Sequence, residues 1–244
     1  RRCLSAVSQE RAELYKRPVQ DPVVKPEDVN TAQEWAFRSG WRSVWSAAIR
    51  SETIASGWSS GVAIVVRKFL GIRYPEGGEA SSVLVPGKAI ACIIEGANKG
   101  GLLAIGGYCH TGGGAEANTY IHSAIARCVA RHEQPFCIAA DWNEDSSNLI
   151  SSGFIDSIGA VVFAPDPAIG SCVTFGIEGV ERISTIDYFL VSSSIAMVFS
   201  QATADTLADI PTHYPVNTGY SLGKGASLCH DTIRKGKANP VTPI

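Results

Sequence analysis

The chain has 244 residues, enough for one large domain or two small ones with a substantial core. Apolar residues make up 45% and charged residues 18%, which excludes a disordered polar chain, and no apolar run is long enough to span a bilayer. A formal net charge of −2 excludes a surface coated in positive charge and leaves nucleic acid only a local basic groove.

The seven cysteines (Cys3, Cys92, Cys109, Cys128, Cys137, Cys172, Cys229) form no C-x-x-C pair, and several sit inside apolar runs. They read as reduced, small hydrophobes, which points to an intracellular reducing compartment, nucleus or cytoplasm. No signal-peptide pattern opens the chain, which begins at Arg1 and has Met197 as its single methionine; a fragment of a longer protein is expected.

In chain order, "TAQEWAFRSG" reads as a helix, with Thr31 at capping-box spacing from Glu34 and Gly40 as its stop. Gly57-Trp58-Ser59-Ser60-Gly61 is a literal G-x-S-x-G, with Asp187 and His213 following in hydrolase order. A nucleophile elbow needs a strand before the serine and a helix after it; here a loop precedes and the strand "GVAIVVRK" (Gly61–Lys68) follows, so Ser59 is not read as a nucleophile. Strands are expected next at Lys88–Glu95 and Leu102–Tyr108. The "GGYCHTGGG" after them lacks the Gly-Lys-Ser/Thr of a phosphate-binding loop.

"ANTYIHSAIARCVARH" sets Ile121, Ile125, Cys128 and Val129 on one helical stripe. Cys128 and His132, with His122, are a feasible zinc chelate, but no second ligand pair has the right spacing, so a core cysteine and two surface histidines are expected. A strand over Pro135–Ala140 leads into Asp141, Trp142 and Asn143, and a short capped helix ends at Gly153. Strands at Thr185–Ser192 and Ala196–Ser200 follow. From Asn217 the chain turns Gly-rich and mildly basic, and residues 217–244 read as a flexible tail or linker after a domain of residues 1–216. Apolar residues run consecutively in several strands, which suggests sheets covered on both faces in an α/β layered domain.

Polar groups cluster directly after these strands. Asp141 and Asn143 follow one, Tyr108 and His110 close another, Asp187 lies inside "TIDYFLVS", and His213 sits between prolines in "DIPTHYPV". Each has a plain structural reading: a turn, a satisfied buried acid, a packed loop histidine, a core tyrosine. If the strand ends converge, they instead supply carboxylates for a hard divalent cation, a base, an acid and a neutral oxyanion donor, the equipment of metal-assisted phosphodiester hydrolysis.

The order of these motifs resembles the endonuclease/exonuclease/phosphatase superfamily, especially its apurinic-endonuclease-like and retroelement members. "AADWNED" stands where that family has Gly-Asp-Phe/Trp-Asn, "STIDYFLVS" is similar to its Arg-Ile-Asp-Tyr strand, and "PTHYPV" to its Ser-Asp-His-x-Pro-Val ending. "SSGVAIVVRK" and "LLAIGGYCHTGG" match its strand leading into the core and its tyrosine-bearing strand, so the likeness covers about residues 20–216. It implies an α+β, DNase I-like four-layer sandwich, two mixed β-sheets flanked by helices.

The resemblance implies that Asp141 orients or deprotonates the attacking water, Asn143 steadies the phosphate, Asp187 holds His213, His213 stabilises phosphoryl oxygens or protonates the leaving group, and Tyr108 contacts the phosphate. It implies one magnesium or manganese ion, a nucleic-acid substrate with DNA favoured, no membrane, and a monomer by default. Arg67, Lys68 and Arg73 read either as solvated surface residues or as local positive charge near the substrate. The metal shell departs from the family pattern. Asp21 stands for a glutamate, Thr212 for an aspartate, and no asparagine precedes Asp21, so the first strand is expected to be missing and the ion weakly held. The expectation is thus a divalent-metal-dependent phosphodiester hydrolase, an impaired endonuclease of possible retroelement origin; the alternative is an inactive relic, or a nucleic-acid-binding module, of the same fold.

Overall fold

The computed structural model describes residues 24–51, 57–96, 99–112, 114–175, 181–208 and 213–220. The expected metal positions Asp21 and Thr212 and most of the tail lie outside these residues.

A 3-10 turn (Pro26–Asp28) leads into helix α1 (Val29–Arg38), followed by strands β1 (Trp41–Ser46), β2 (Ile49–Arg50), β3 (Trp58–Ser59), β4 (Val62–Arg67), β5 (Ile72–Arg73), β6 (Val83–Val85), β7 (Ala89–Ile94) and β8 (Leu102–Tyr108). Helix α2 (Gly114–Arg131) connects β8 to β9 (Phe136–Asp141); short helices α3 (Ser146–Ser151) and α4 (Phe154–Ser157) precede β10 (Ala160–Phe163), β11 (Cys172–Phe175), β12 (Glu181–Ser184) and β13 (Asp187–Ser192). Small strands β14 (Thr203–Ala204) and β15 (Val216–Asn217) pair near the end. Tyr220 still packs on Phe199, at 5.0 Å between ring centroids, so the packed chain runs on to that residue.

The central sheet has seven strands in the order β10-β13-β9-β8-β7-β5, with β6 also on β7. It is mixed: β8 and β9 are parallel, joined through α2, and the other pairs are antiparallel. β7 is buried at all six positions, as a strand with no polar alternation requires. Its odd residues Ala89, Ala91 and Ile93 meet Ile121, Ile125 and Cys128 of α2; its even residues Cys92 and Ile94 meet Val44 of β1 and Val66 of β4. The second β layer consists, among the described residues, of antiparallel pairs led by β1–β4, and α1 packs against β1. Helices thus flank the β layers on both sides. Gly106 permits the two layers to close at one end of β8, since a Cβ there would stand 2.9 Å from Val62 Cγ1.

Two local expectations are corrected. Thr31 lies inside α1, two residues past its start, because the Pro26–Asp28 turn nucleates the helix earlier; no capping box forms at Thr31. Ala196–Ser200 is not a strand. Residues Ser193–Val198 form a 3-10 helix whose exposed face carries Met197, 90% exposed. The run is apolar enough for a strand, but among the described residues its pairing is limited to an isolated antiparallel bridge of Phe199 with Tyr220.

Candidate active site

Three strands deliver the site to one end of the sheet. β8 and β9 run parallel, so Tyr108 and Asp141, their last residues, stand side by side in register. β13 runs the other way and begins at Asp187, which faces Asp141 across the pair. His213 arrives from the opposite side of β13, in an isolated bridge to Cys172 at the start of β11. The four residues expected from sequence are therefore brought together, with Asn143 in the turn after β9.

His213 Nδ1 and Asp187 Oδ2 are 2.9 Å apart, with the imidazole N–H donating to the carboxylate. Ser171, fully buried, anchors the acid: its Oγ accepts from the backbone N–H groups of Ile186 and Asp187 at 3.0 and 2.8 Å. Asp141 Oδ1 accepts from the Asn143 backbone N–H at 3.1 Å. Burial first, then the neighbouring Asp187 carboxylate, push the Asp141 carboxyl up to about 6; His213 and the Asn143 hydrogen bond oppose that rise.

Asn143 adopts φ 53°, a left-handed conformation that asparagine tolerates better than most side chains. Its amide is fixed at both ends, Nδ2 donating to the Cys109 carbonyl at 2.8 Å and Oδ1 accepting from Thr111 Oγ1 at 3.1 Å. The residue thus makes a tight turn and also presents a held amide. Below it, Trp142 is fully buried, stacked on Tyr188 at 5.7 Å, with its indole N–H donating to the Tyr188 carbonyl at 3.1 Å.

Sequence reasoning missed Lys88. It is 3% exposed, and its ammonium lies 4.4 Å from the centroid of the Tyr108 ring, at cation–π distance. Burial lowers its pKa, while Cys109 and Asp141 act in the opposite sense. A lysine opening the run "KAIACIIE" reads as a solvated strand start, and no local signal marks it as buried. Thr111, Ser171 and Cys172 were missed for the same reason.

Arg67, Lys68 and Arg73 are not at the site. Val62 opens β4 beside Gly106 at the site end, which places Arg67 and Lys68 at the far end of that strand. Arg67 covers Trp41 at 3.7 Å, Lys68 covers Phe37 at 3.6 Å, and Arg73 lies 3.8 Å from Glu95. Ser59 is followed by a turn and then β4, not by a helix, so the elbow geometry is absent, as expected. His122, Cys128 and His132 form no ligand cluster among the described residues; His122 Nε2 instead faces Cys109 Sγ at 3.8 Å and Glu144 at 3.7 Å.

Among the described residues, one group can hold a metal: Asp141, Asp187 and His213 offer ligand atoms within 4.8 Å of one another. Two carboxylates, one held well above its ordinary range by burial and by the other, suit a hard cation that takes one or two acids and keeps its waters. The residues present therefore fit a divalent ion.

No protein-family model matches the sequence, and no curated protein does. The structure is similar to the endonuclease domain of TRAS1, a telomere-specific non-LTR retrotransposon, with a TM-score of 0.56 and 12% identity over 84% of this chain and 95% of that chain. It is also similar to a 3'-5' exonuclease from Neisseria meningitidis, with a TM-score of 0.56 and 16% identity over 82% of this chain and 86% of that one. An AP endonuclease from Archaeoglobus fulgidus gives a TM-score of 0.52 and 16% identity over 81% and 86%. The mixed central sheet, its flanking helices and this likeness together give the chain a DNase I-like fold.

Proposed function

We propose that the chain hydrolyses phosphodiester bonds in nucleic acid, with DNA as the favoured substrate and a divalent cation as cofactor. The observation that carries this reading is the convergence of Asp141, held Asn143 and the 2.9 Å Asp187–His213 pair on one end of the sheet. Structural neighbours described as an endonuclease, an exonuclease and an AP endonuclease support the choice of substrate class.

Asp141, at the end of β9 beside Asp187, orients the attacking water and takes its proton. The Asn143 amide, held by the Cys109 carbonyl and beside the Asp141 carboxylate, steadies a non-bridging phosphate oxygen. Asp187 orients His213 through Nδ1, leaving Nε2 to stabilise the phosphoryl oxygens or to protonate the leaving oxygen. Tyr108, with the Lys88 ammonium over its ring, contacts the phosphate. A magnesium or manganese ion held by Asp141 and Asp187 would neutralise phosphate charge when bound.

The test is nicking of supercoiled plasmid with magnesium or manganese, comparing the wild type with His213→Ala and Asp141→Asn. Metal-dependent nicking that drops by about 100-fold or more in each variant supports the reading. A folded wild type that leaves the plasmid intact rejects it, and intact binding of DNA by that protein would make it a binding module.

A further inference from the structure

His213 has a second neighbour that the hydrolase reading does not use. Cys172 and His213 are cross-strand partners, and the Tyr214 backbone N–H donates to the Ser171 carbonyl at 2.7 Å, so main-chain bonds hold the two side chains opposite each other. Cys172 Sγ lies 3.7 Å from His213 Nε2. A tetrahedral zinc ion with ordinary Zn–N and Zn–S bonds sets those two ligand atoms roughly 3.5 Å apart. A thiol and an imidazole already at that separation need little rearrangement to chelate.

The remaining ring nitrogen strengthens the case. His213 Nδ1 donates to Asp187 Oδ2 at 2.9 Å, the carboxylate–histidine arrangement that fixes the tautomer and leaves Nε2 as a basic donor. Ser171 ties the start of β11 to the start of β13 through its two backbone hydrogen bonds, so the thiol, the imidazole and the carboxylate share one rigid frame. The His213 side chain is 37% exposed, which gives an ion a way in, although Cys172 itself is buried.

We propose that Cys172 and His213 chelate a thiophilic divalent cation of the zinc class, with Asp187 orienting the imidazole and water filling the remaining positions. The metal–sulfur bond forms as the thiol S–H breaks, and its proton passes to solvent. Magnesium, which takes oxygen ligands, does not compete for the sulfur. If the hydrolase reading holds, an ion in this site occupies Nε2 and inhibits the reaction.

The experiment is a cobalt(II) titration of the whole chain in excess magnesium, read by the thiolate-to-cobalt charge-transfer absorption, followed by displacement with zinc. The wild type should bind one cobalt with that band and release it to zinc. Cys172→Ser should lose the band and bind zinc at least 10-fold more weakly, and Asp187→Asn should keep the band with about 10- to 100-fold weaker binding. No band in a folded wild type, or a band unchanged in Cys172→Ser, would overturn the proposal. Neither readout uses catalysis, so a protein that binds zinc this way but cuts no DNA would reject the proposed function and keep this site.

Discussion

Replacing Asp141 with asparagine should make the folded chain more stable at neutral pH. The carboxyl stands opposite Asp187 in register, and burial and that neighbour together move it from 3.8 up to about 6. Each unit of pKa is worth about 1.4 kcal/mol between the two protonation states, so an ionised Asp141 destabilises the fold by about 3 kcal/mol. The folded state keeps its proton in the window between the ordinary value and the raised one, where the unfolded state has lost it. Stability therefore falls as pH rises through that window, and below it the penalty vanishes because both states are protonated.

Asparagine has nearly the same shape, keeps an oxygen to accept the 3.1 Å bond from the Asn143 backbone, and carries no charge to repel Asp187. Urea unfolding of both proteins in a chelator, at pH 7.5 and at pH 4, measures the effect. The variant should gain about 2–3 kcal/mol at pH 7.5 and close to nothing at pH 4. In the proposed reaction the same change should cost about 100-fold or more in kcat. A variant no more stable than the wild type at pH 7.5, or a gain independent of pH, would refute the reasoning.

Thr111→Val removes the hydroxyl that holds Asn143 Oδ1; stability should change by about 1 kcal/mol or less because the contact is exposed, while plasmid nicking should slow by about 10-fold. Ser59→Ala should leave nicking unchanged, since the Ser59 hydroxyl meets Ser60 Oγ at 3.3 Å and the backbone there has no elbow. Trp142→Ala deletes a fully buried indole that stacks on Tyr188, and thermal or urea unfolding should show a loss of about 3–5 kcal/mol.

The central strands were legible because burial on both faces leaves an unbroken apolar run. The expected strands at Lys88–Glu95, Leu102–Tyr108, Pro135–Ala140 and Thr185–Ser192 correspond to β7, β8, β9 and β13 within a few residues. The stripe Ile121, Ile125, Cys128 predicted the face of α2 that meets the sheet. The two-residue pairs β2–β3 and β14–β15 were not legible, because so short a strand carries no periodicity and is defined only by its partner. β1 was missed for a different reason: "WRSVWS" alternates weakly, and its buried Trp41 and Ser46 meet Arg67 of β4 and the Gly87 N–H, partners that the local pattern does not show.

The same rule explains where the site lies and which parts of it the sequence revealed. A strand buried on both faces has no room for a charge along its length, so a carboxylate there must stand at an end. Asp141 and Asp187 interrupt apolar runs at their termini, which makes them visible, and antiparallel pairing of β9 with β13 puts the end of one beside the start of the other. Parallel pairing of β8 with β9 adds Tyr108 to the same edge. Residues that support them leave no such trace. Lys88 meets the Tyr108 ring where the Tyr108 N–H bonds the Lys88 carbonyl at 2.8 Å, and Cys172 meets His213 through a bridge between segments forty-one residues apart. Acids at strand ends are written in the local pattern; the cation and the thiol that complete their surroundings are written in the pairing of distant segments.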